Sequence, residues 1–267
     1  MKKRINGYLL AGYLLAGLLI TFIFVGIFWT PYSPTAMSSD KFSSPSWSHL
    51  FGTDKLGRDI FSRVLRGAGT TFSVAVCTVL IGGGIGTLIG AVTGYFGGTV
   101  DSILMRFNDA LTAFPSILMA LLVVSLLGPE HKYSLVLALG IVFIPSFARV
   151  TRTSFASLRD VNYITSARLM GAGNARILVL HMLPNTVRVL LPALTIGFNN
   201  AVLAEAGMSF LRITPLDTSL GYMLSEAQGM FSAAPWYAVS TGLTIALLVF
   251  GVGLIGEGLQ RQGKEAE

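Results

Sequence analysis

Cysteine, histidine and charge are all scarce in this chain. Cys77 is the only cysteine among 267 residues, which excludes an internal disulfide. Its apolar neighbours give it the reading of a buried small hydrophobe. The three histidines, His49, His131 and His181, lie far apart, and no His-Glu-x-x-His run occurs. The pattern of a helical zinc site is therefore missing, and no metal site is expected. A Gly-x-x-x-x-Gly-Lys-Ser/Thr loop is also absent, which removes the usual phosphate cradle for ATP. No nucleophile and base can be paired in the middle of an apolar run, so an intramembrane hydrolase is disfavoured. Charged residues make up only 12% of the chain, about half the share found in soluble domains.

Apolar residues fill the space that charge leaves. They amount to 52% of the chain, and the mean hydropathy is +0.68, so most of the chain belongs in lipid. The useful unit is then a span of about 20 apolar residues. Six such runs can be marked, at roughly 8–28, 72–94, 103–127, 133–150, 187–210 and 236–255. The first follows Met1-Lys2-Lys3-Arg4, is too long for a signal peptide and lacks a small-x-small cleavage site. The net charge of +6 sits at the ends of the runs and gives no reason to expect nucleic acid. Basic flanks mark the cytoplasmic side, and Arg261 and Lys264 put the tail there too. The expected fold is an all-α integral membrane protein with six transmembrane helices and both termini cytoplasmic. Three regions follow: 1–70, a first helix and external loop; 71–259, a five-helix core; and 260–267, a cytoplasmic tail.

Within the runs, Gly82, Gly86, Gly90 and Gly94 recur every four residues. Such a ridge lets a second helix approach closely, which packing in lipid requires. Asp109, Asn199, Asn200 and Glu205 are polar groups inside spans and are candidates for a pathway or gate. Asn199 and Asn200 are expected to hydrogen-bond between helices, and Glu205 to be solvated near the outer end. Pro145 is placed to kink the fourth span. The external loops are expected at 31–70 and 212–235, with a short outside turn at 128–132 and a short inside loop at 95–106.

The stretch from Arg149 to Asn185 lies between two apolar runs. It carries Arg149, Arg152, Arg159, Arg168 and Arg176 against one acid, Asp160. Val161 to Met170 has helix-forming composition, with Asp160 or Asn162 as a cap. Gly171 and Gly173 are suited to ending that helix. Asn174 is placed to cap a second short helix that runs to Pro184. The pattern predicts a helix–turn–helix platform against the membrane, with the small side chains of Ser166 and Ala167 suited to docking in a groove on another protein.

Thr165-Ser166-Ala167, three residues, Gly171, nine residues and His181-Met182-Leu183-Pro184 resemble the "EAA" coupling loop of permease subunits in ABC importers. Tyr163-Ile164, Ala167-Arg168 and His181 to Asn185 look like the dipeptide/oligopeptide/nickel branch. The run Phe51-Gly52-Thr53-Asp54-Lys55-Leu56-Gly57-Arg58-Asp59-Ile60-Phe61-Ser62-Arg63 is similar to the Gly-Thr-Asp-x-x-Gly-Arg-Asp-x-x-Ser-Arg signature of the second subunit in that branch. Its own chemistry reads as a turn and an amphipathic helix, with Asp54 and Asp59 offsetting Lys55, Arg58, Arg63 and Arg66. Ala204 to Leu211 also resembles the family pattern, whereas Arg212-Ile213-Thr214 stands where the family usually has Gly-Leu-Gly. Near the end, Gly253, Glu257 and Gln260 stand where the family has Asn, Asp and Arg.

The resemblance implies a transport subunit of the bacterial cytoplasmic membrane that is not itself an enzyme. A homologous permease subunit would complete a heterodimer. Two cytoplasmic ATPases would carry ATP and Mg, with no cofactor on this chain, and an extracytoplasmic binding protein would deliver short peptides. Coupling to the ATPases would fall to the loop at 151–185, through Tyr163, Ser166, Ala167, Arg168, Gly171, Leu183 and Pro184. A nickel or metal–chelator cargo is the family's alternative. A secondary transporter or channel is the alternative of another class, but the inverted repeats or mid-span charges it would need are not seen.

Overall fold

A computed structural model of the chain describes residues 7–128, 133–213 and 218–264. Among these residues the regular structure is all helical, apart from one isolated antiparallel bridge between Thr53 and Asp59 in the irregular segment 29–59. All but Gly128 of the expected turn at 128–132 lies outside the described residues, as do Thr214, Asp217 and the basic start of the chain.

The first helix, α1, is Gly7–Phe28. The next, α2, is Ile60–Phe96, 37 residues long, or about 55 Å at 1.5 Å per residue. It begins well before the expected Phe72 because Asp59 caps it: the carboxylate accepts from Ser62 N at 2.8 Å and from Ser62 Oγ at 2.6 Å. The segment expected to be an external loop up to residue 70 thus ends in the first turns of this rod. The end of the bundle at Asp59 is termed the rim and the end at Phe96 the platform end.

Helix α5, Ser134–Leu158, packs along α2 through the glycine ridge. A Cβ at Gly86 would stand 2.6 Å from the Ile144 carbonyl oxygen and 2.7 Å from Phe147 Cβ. At Gly82 it would meet Gly140 O at 2.8 Å, and at Gly94 it would meet Phe155 Cβ at 2.7 Å. Gly90 faces Ala148 and Thr151 in the same way. The seam joins two helices of one chain. The helix α5 continues through Pro145 to Leu158, so Arg149 and Arg152 stand on α5 and not in a loop.

The expected third span is broken. Helices α3, Gly98–Thr112, and α4, Ser116–Leu127, meet at 91°. Pro115 supplies the break, since it lacks an N–H and disfavours a helical Phe114. Arg152 and Arg149 of α5 hold α3 at the platform end through Asp101 (2.5 Å) and Asp109 (3.0 Å). The expected inside loop at 95–106 shrinks to the Gly97–Gly98 turn.

The short helix α6, Asn162–Leu169, precedes a continuous rod, 174–210, made of α7 (Asn174–Arg176), a π-turn (Ile177–Met182) and α8 (Leu183–Phe210). The expected second platform helix does not stop at Pro184. Pro184 has no N–H to donate to Leu180, so the ladder slips, and Leu183 N bonds to Leu178 O instead. Helix α9, Leu220–Gln228, lies over the rim, and α10, Pro235–Lys264, returns to the platform end beside α1. Ile23, Ile60, Val64, Phe198, Leu220, Met223 and Tyr237 anchor the largest apolar core. Four helices are long and apolar enough to cross a bilayer, and the bent pair makes up to five. The apolar part of α1, Gly12–Phe28, is shorter.

Candidate functional site

Helix α6 stands on a small apolar cluster of its own. Ile164, Ile177 and Met182 are fully buried there against Phe155 and Tyr95, with Ala172 and Leu183 packed around them. Ala167 faces this cluster, while Ser166 faces out. The two small side chains therefore do not share an exposed face. Neither Asp160 nor Asn162 caps α6, whose N-cap Val161 makes no side-chain bond; Asp160 lies beside Arg159 instead. The C-terminus is closed by paired bonds, Gly171 N to Arg168 O and Ala172 N to Ala167 O, each 3.0 Å. That pattern needs a left-handed residue, and Gly171 has φ of +80°.

Further contacts close the platform into one unit. Asn185 Nδ2 donates to Tyr163 Oη at 3.2 Å and to His181 O at 2.7 Å. The Arg168 guanidinium lies 5.7 Å from the centre of the Tyr95 ring. Tyr95 Oη donates to Asn174 Oδ1 at 2.8 Å, so Asn174 is bonded to α2 and does not cap its own helix. Pro184 is exposed at the start of α8. The tip is the surprise for sequence reading: Leu169 and Met170 are 85% and 81% exposed. Two large apolar side chains are held out by the glycine turn beside exposed Arg168 and Arg176. Their position directly before Gly171 was the available signal.

Halfway along the bundle, α4, α5 and α8 enclose a cavity of about 420 Å³, open on one side. Its wall is apolar, with Phe143, Leu203 and Met208 prominent, and Ser116, Ser146 and Asn200 are its polar lining. Asn199 is turned the other way. Its amide nitrogen lies 3.2 Å from where a Cβ on Gly253 would be, and its buried Oδ1 has no partner. The expected hydrogen bonds between helices are thus absent for Asn199 and Asn200 among the described residues. Gly253 gives Asn199 room but no donor. Asp109 is exposed and paired with Arg149.

Glu205 is completely buried, contrary to the expected solvation. Helix α9 folds back over the end of α8, with Gly221 packed on the Ala206 backbone. Ser209 Oγ donates to Glu205 Oε1 at 2.7 Å. Cys77 differs in the other direction: it is exposed on α2.

The Gly-Thr-Asp segment forms an ionic knot at the rim. Asp54 accepts from Arg58 Nε at 2.6 Å and from Arg63 Nη1 at 2.8 Å. Glu226 of α9 accepts from Arg63 Nη2 at 2.6 Å, Arg58 Nη2 at 3.1 Å and Tyr237 Oη at 3.1 Å. Burial works against the charge of Glu226, but Arg63 and then Arg58 outweigh it and hold its carboxyl below the ordinary range. Arg58 is likewise raised: burial opposes its charge, and Asp54 and Glu226 overcome that. Asp59 caps α2 and also meets His49 Nδ1 at 2.9 Å. Gly52 admits Trp236 of α10 so closely that a Cβ would lie 2.6 Å from its Nε1. Glu226 and Tyr237 are the members of this knot that sequence reasoning missed, because they arrive from distant helices.

Comparison with known proteins places this architecture. Residues 86–262 match the family profile described as binding-protein-dependent transport system inner membrane component. The chain is 38% identical over 228 residues to the dipeptide transport system permease protein DppC of Alkalihalophilus pseudofirmus, covering 83% of this chain and 73% of that protein. It is 36% identical to DppC of Haemophilus influenzae, covering 86% and 81%. It is 37% identical to the glutathione transport system permease protein GsiD of Pectobacterium atrosepticum, covering 87% and 80%. Among solved structures, a chain of the MetNI methionine ABC transporter in inward-facing conformations aligns with a TM-score of 0.62 at 19% identity, over 75% of this chain and 95% of that one. That likeness is one of fold.

Proposed function

The chain belongs to the family of binding-protein-dependent transport system inner membrane components, and from that premise we propose that it is the permease subunit of an ATP-driven importer of short peptides. It sits in the bacterial cytoplasmic membrane and crosses it six times, with α1 and the bent α3–α4 pair counted as spans and the platform end cytoplasmic. A homologous permease subunit pairs with it. Two ATPases, which hold ATP and Mg, dock on the platform at 151–185. An extracytoplasmic binding protein delivers cargo at the rim.

The observation that carries this reading is the exposed apolar tip. Leu169 and Met170 are the most exposed of the platform's large apolar side chains, held out from a packed inner cluster. Apolar side chains held out in this way mark an interaction site. The platform is continuous with α8, so a push at the tip is delivered to a rod that runs to the rim. The relatives named for dipeptide and glutathione transport support peptides as the cargo. Expression with its operon neighbours tests both parts. ATP-dependent uptake of labelled alanyl-alanine is expected, and Gly171→Trp should insert normally yet abolish uptake and coupled ATP hydrolysis. Uptake of nickel alone would move the cargo to metal, and uptake without functional ATPases would overturn the importer.

A further inference from the structure

We infer that the cavity between α4, α5 and α8 is a water-facing wall of the transport path, and that Ser116, Ser146 and Asn200 engage the peptide backbone there through uncharged hydrogen bonds. This rests on the functional reading above and adds to it where in this chain the cargo is met and by what chemistry.

Depth is the first ground. Asn200 lies ten residues before the rim end of α8, Ser146 twelve after the rim end of α5, and Ser116 eleven before the rim end of α4. At 1.5 Å per residue these are about 15, 18 and 17 Å. Three polar groups on three helices therefore share one level, near the middle of a hydrocarbon core about 30 Å thick. The breaks at Pro115 and the bend of α3–α4 fall at that level too.

Bonding is the second ground. Two exposed hydroxyls on outward helix faces return their proton to the backbone, Thr21 to Gly17 O at 2.8 Å and Ser73 to Gly69 O at 2.7 Å. Ser146 makes no such bond, and neither Ser116 nor Asn200 has a side-chain partner among the described residues. All three are exposed into the same opening. An amide with two donors and an acceptor facing hydrocarbon would be unsatisfied on every atom. Lipid therefore does not fill this space; water and a polar cargo do.

Chemistry gives the cargo class. No ionisable side chain lines the cavity, so it selects neither acidic nor basic side chains. Amide and hydroxyl groups complement the N–H and C=O that every peptide repeats. The apolar remainder, with Phe143 and Met208, accommodates varied side chains. The volume of about 420 Å³ falls within the ~300–1,000 Å³ of small-molecule sites.

The test uses the assembled transporter with its binding protein and ATPases, in a Cys77→Ala background. Asn200→Cys and Ser146→Cys should react with a charged, membrane-impermeant thiol reagent at least tenfold faster than Leu14→Cys, on the exposed face of α1. Alanyl-alanine supplied with the binding protein should slow that reaction several-fold. Equal rates at Asn200→Cys and Leu14→Cys would overturn the water-facing wall. Fast labelling in a Cys77→Ala transporter that imports no alanyl-alanine would keep the wall and overturn the peptide assignment. Asn200→Asp should separate uptake of alanyl-lysine from alanyl-glutamate at least fivefold in favour of the lysine peptide. A lysine-to-glutamate uptake ratio unchanged from that of the parent transporter would remove residue 200 from the cargo's path.

Discussion

The two ends of the bundle are built by opposite means. At the rim, charge is buried and fully matched: Asp54 and Glu226 take both Arg58 and Arg63, and Tyr237 closes the knot. At the platform, the interior is apolar, a glycine turn sets the shape, and apolar side chains are left outside. A buried ionic knot gives little net stability, because desolvation offsets attraction, but breaking it is costly. It therefore fixes geometry. The platform does the reverse: it is internally fixed yet incomplete at its surface. In the importer reading, the rim is a frame and the platform is a handle.

That contrast can be broken most forcefully at the rim. Glu226→Gln leaves Arg58 and Arg63 sharing Asp54, with Arg63 only 4% exposed. Loss of about 3–5 kcal/mol is expected, read as a lower melting temperature in detergent. Between the ends, Gly86→Leu drives a side chain into the α5 backbone, and a cost of about 1–3 kcal/mol is expected from overpacking; unchanged stability would remove the seam from the account. At the platform, Gly171→Val strains a left-handed residue by about 1–2 kcal/mol, whereas Gly171→Asn should be tolerated. Uptake should follow the same order. Met170→Asp sharpens the contrast: stability should stay within about 0.5 kcal/mol, while ATP-driven uptake is lost.

The smallest effect concerns pH. The carboxyl of Glu226 is held below its ordinary value of 4.5. A carboxylate depressed by folding contributes stability that is fully present above that value and is lost as pH falls through the lower, folded one. The contribution of Glu226 to rim stability should therefore be flat from about pH 6 to pH 8 and decline only in stronger acid. In Glu226→Gln that acid limb should flatten. A transition near neutrality that Glu226→Gln abolishes would contradict the pairing.

Apolar runs, the glycine spacing and the helix before Gly171 were all legible in the sequence, because each depends on residues close together in the chain. Most of what failed depended on distant partners. A hydropathy sum treats 103–127 as one run, but Pro115 and the ion pairs of Asp101 and Asp109 with α5 turn it through 91°. Glu205 looked solvated because it stands near a helix end, and only the return of α9 buries it. Asp54 and Asp59 were seen as the offsets for the rim arginines, while Glu226 was not. The platform's second helix was expected to stop at Pro184, yet a shifted ladder carries it into α8.

The rim knot also imposes an order on how the protein is made. Glu226 is synthesised 163 residues after Arg63. Until then, Arg58 and Arg63 share Asp54 alone, and α2 lacks the ion pair that ties its start to α9. The last hairpin supplies the missing charge. A chain interrupted before α9 is thus left with unbalanced arginines at its rim. Completion and stability arrive together, with α9 and α10.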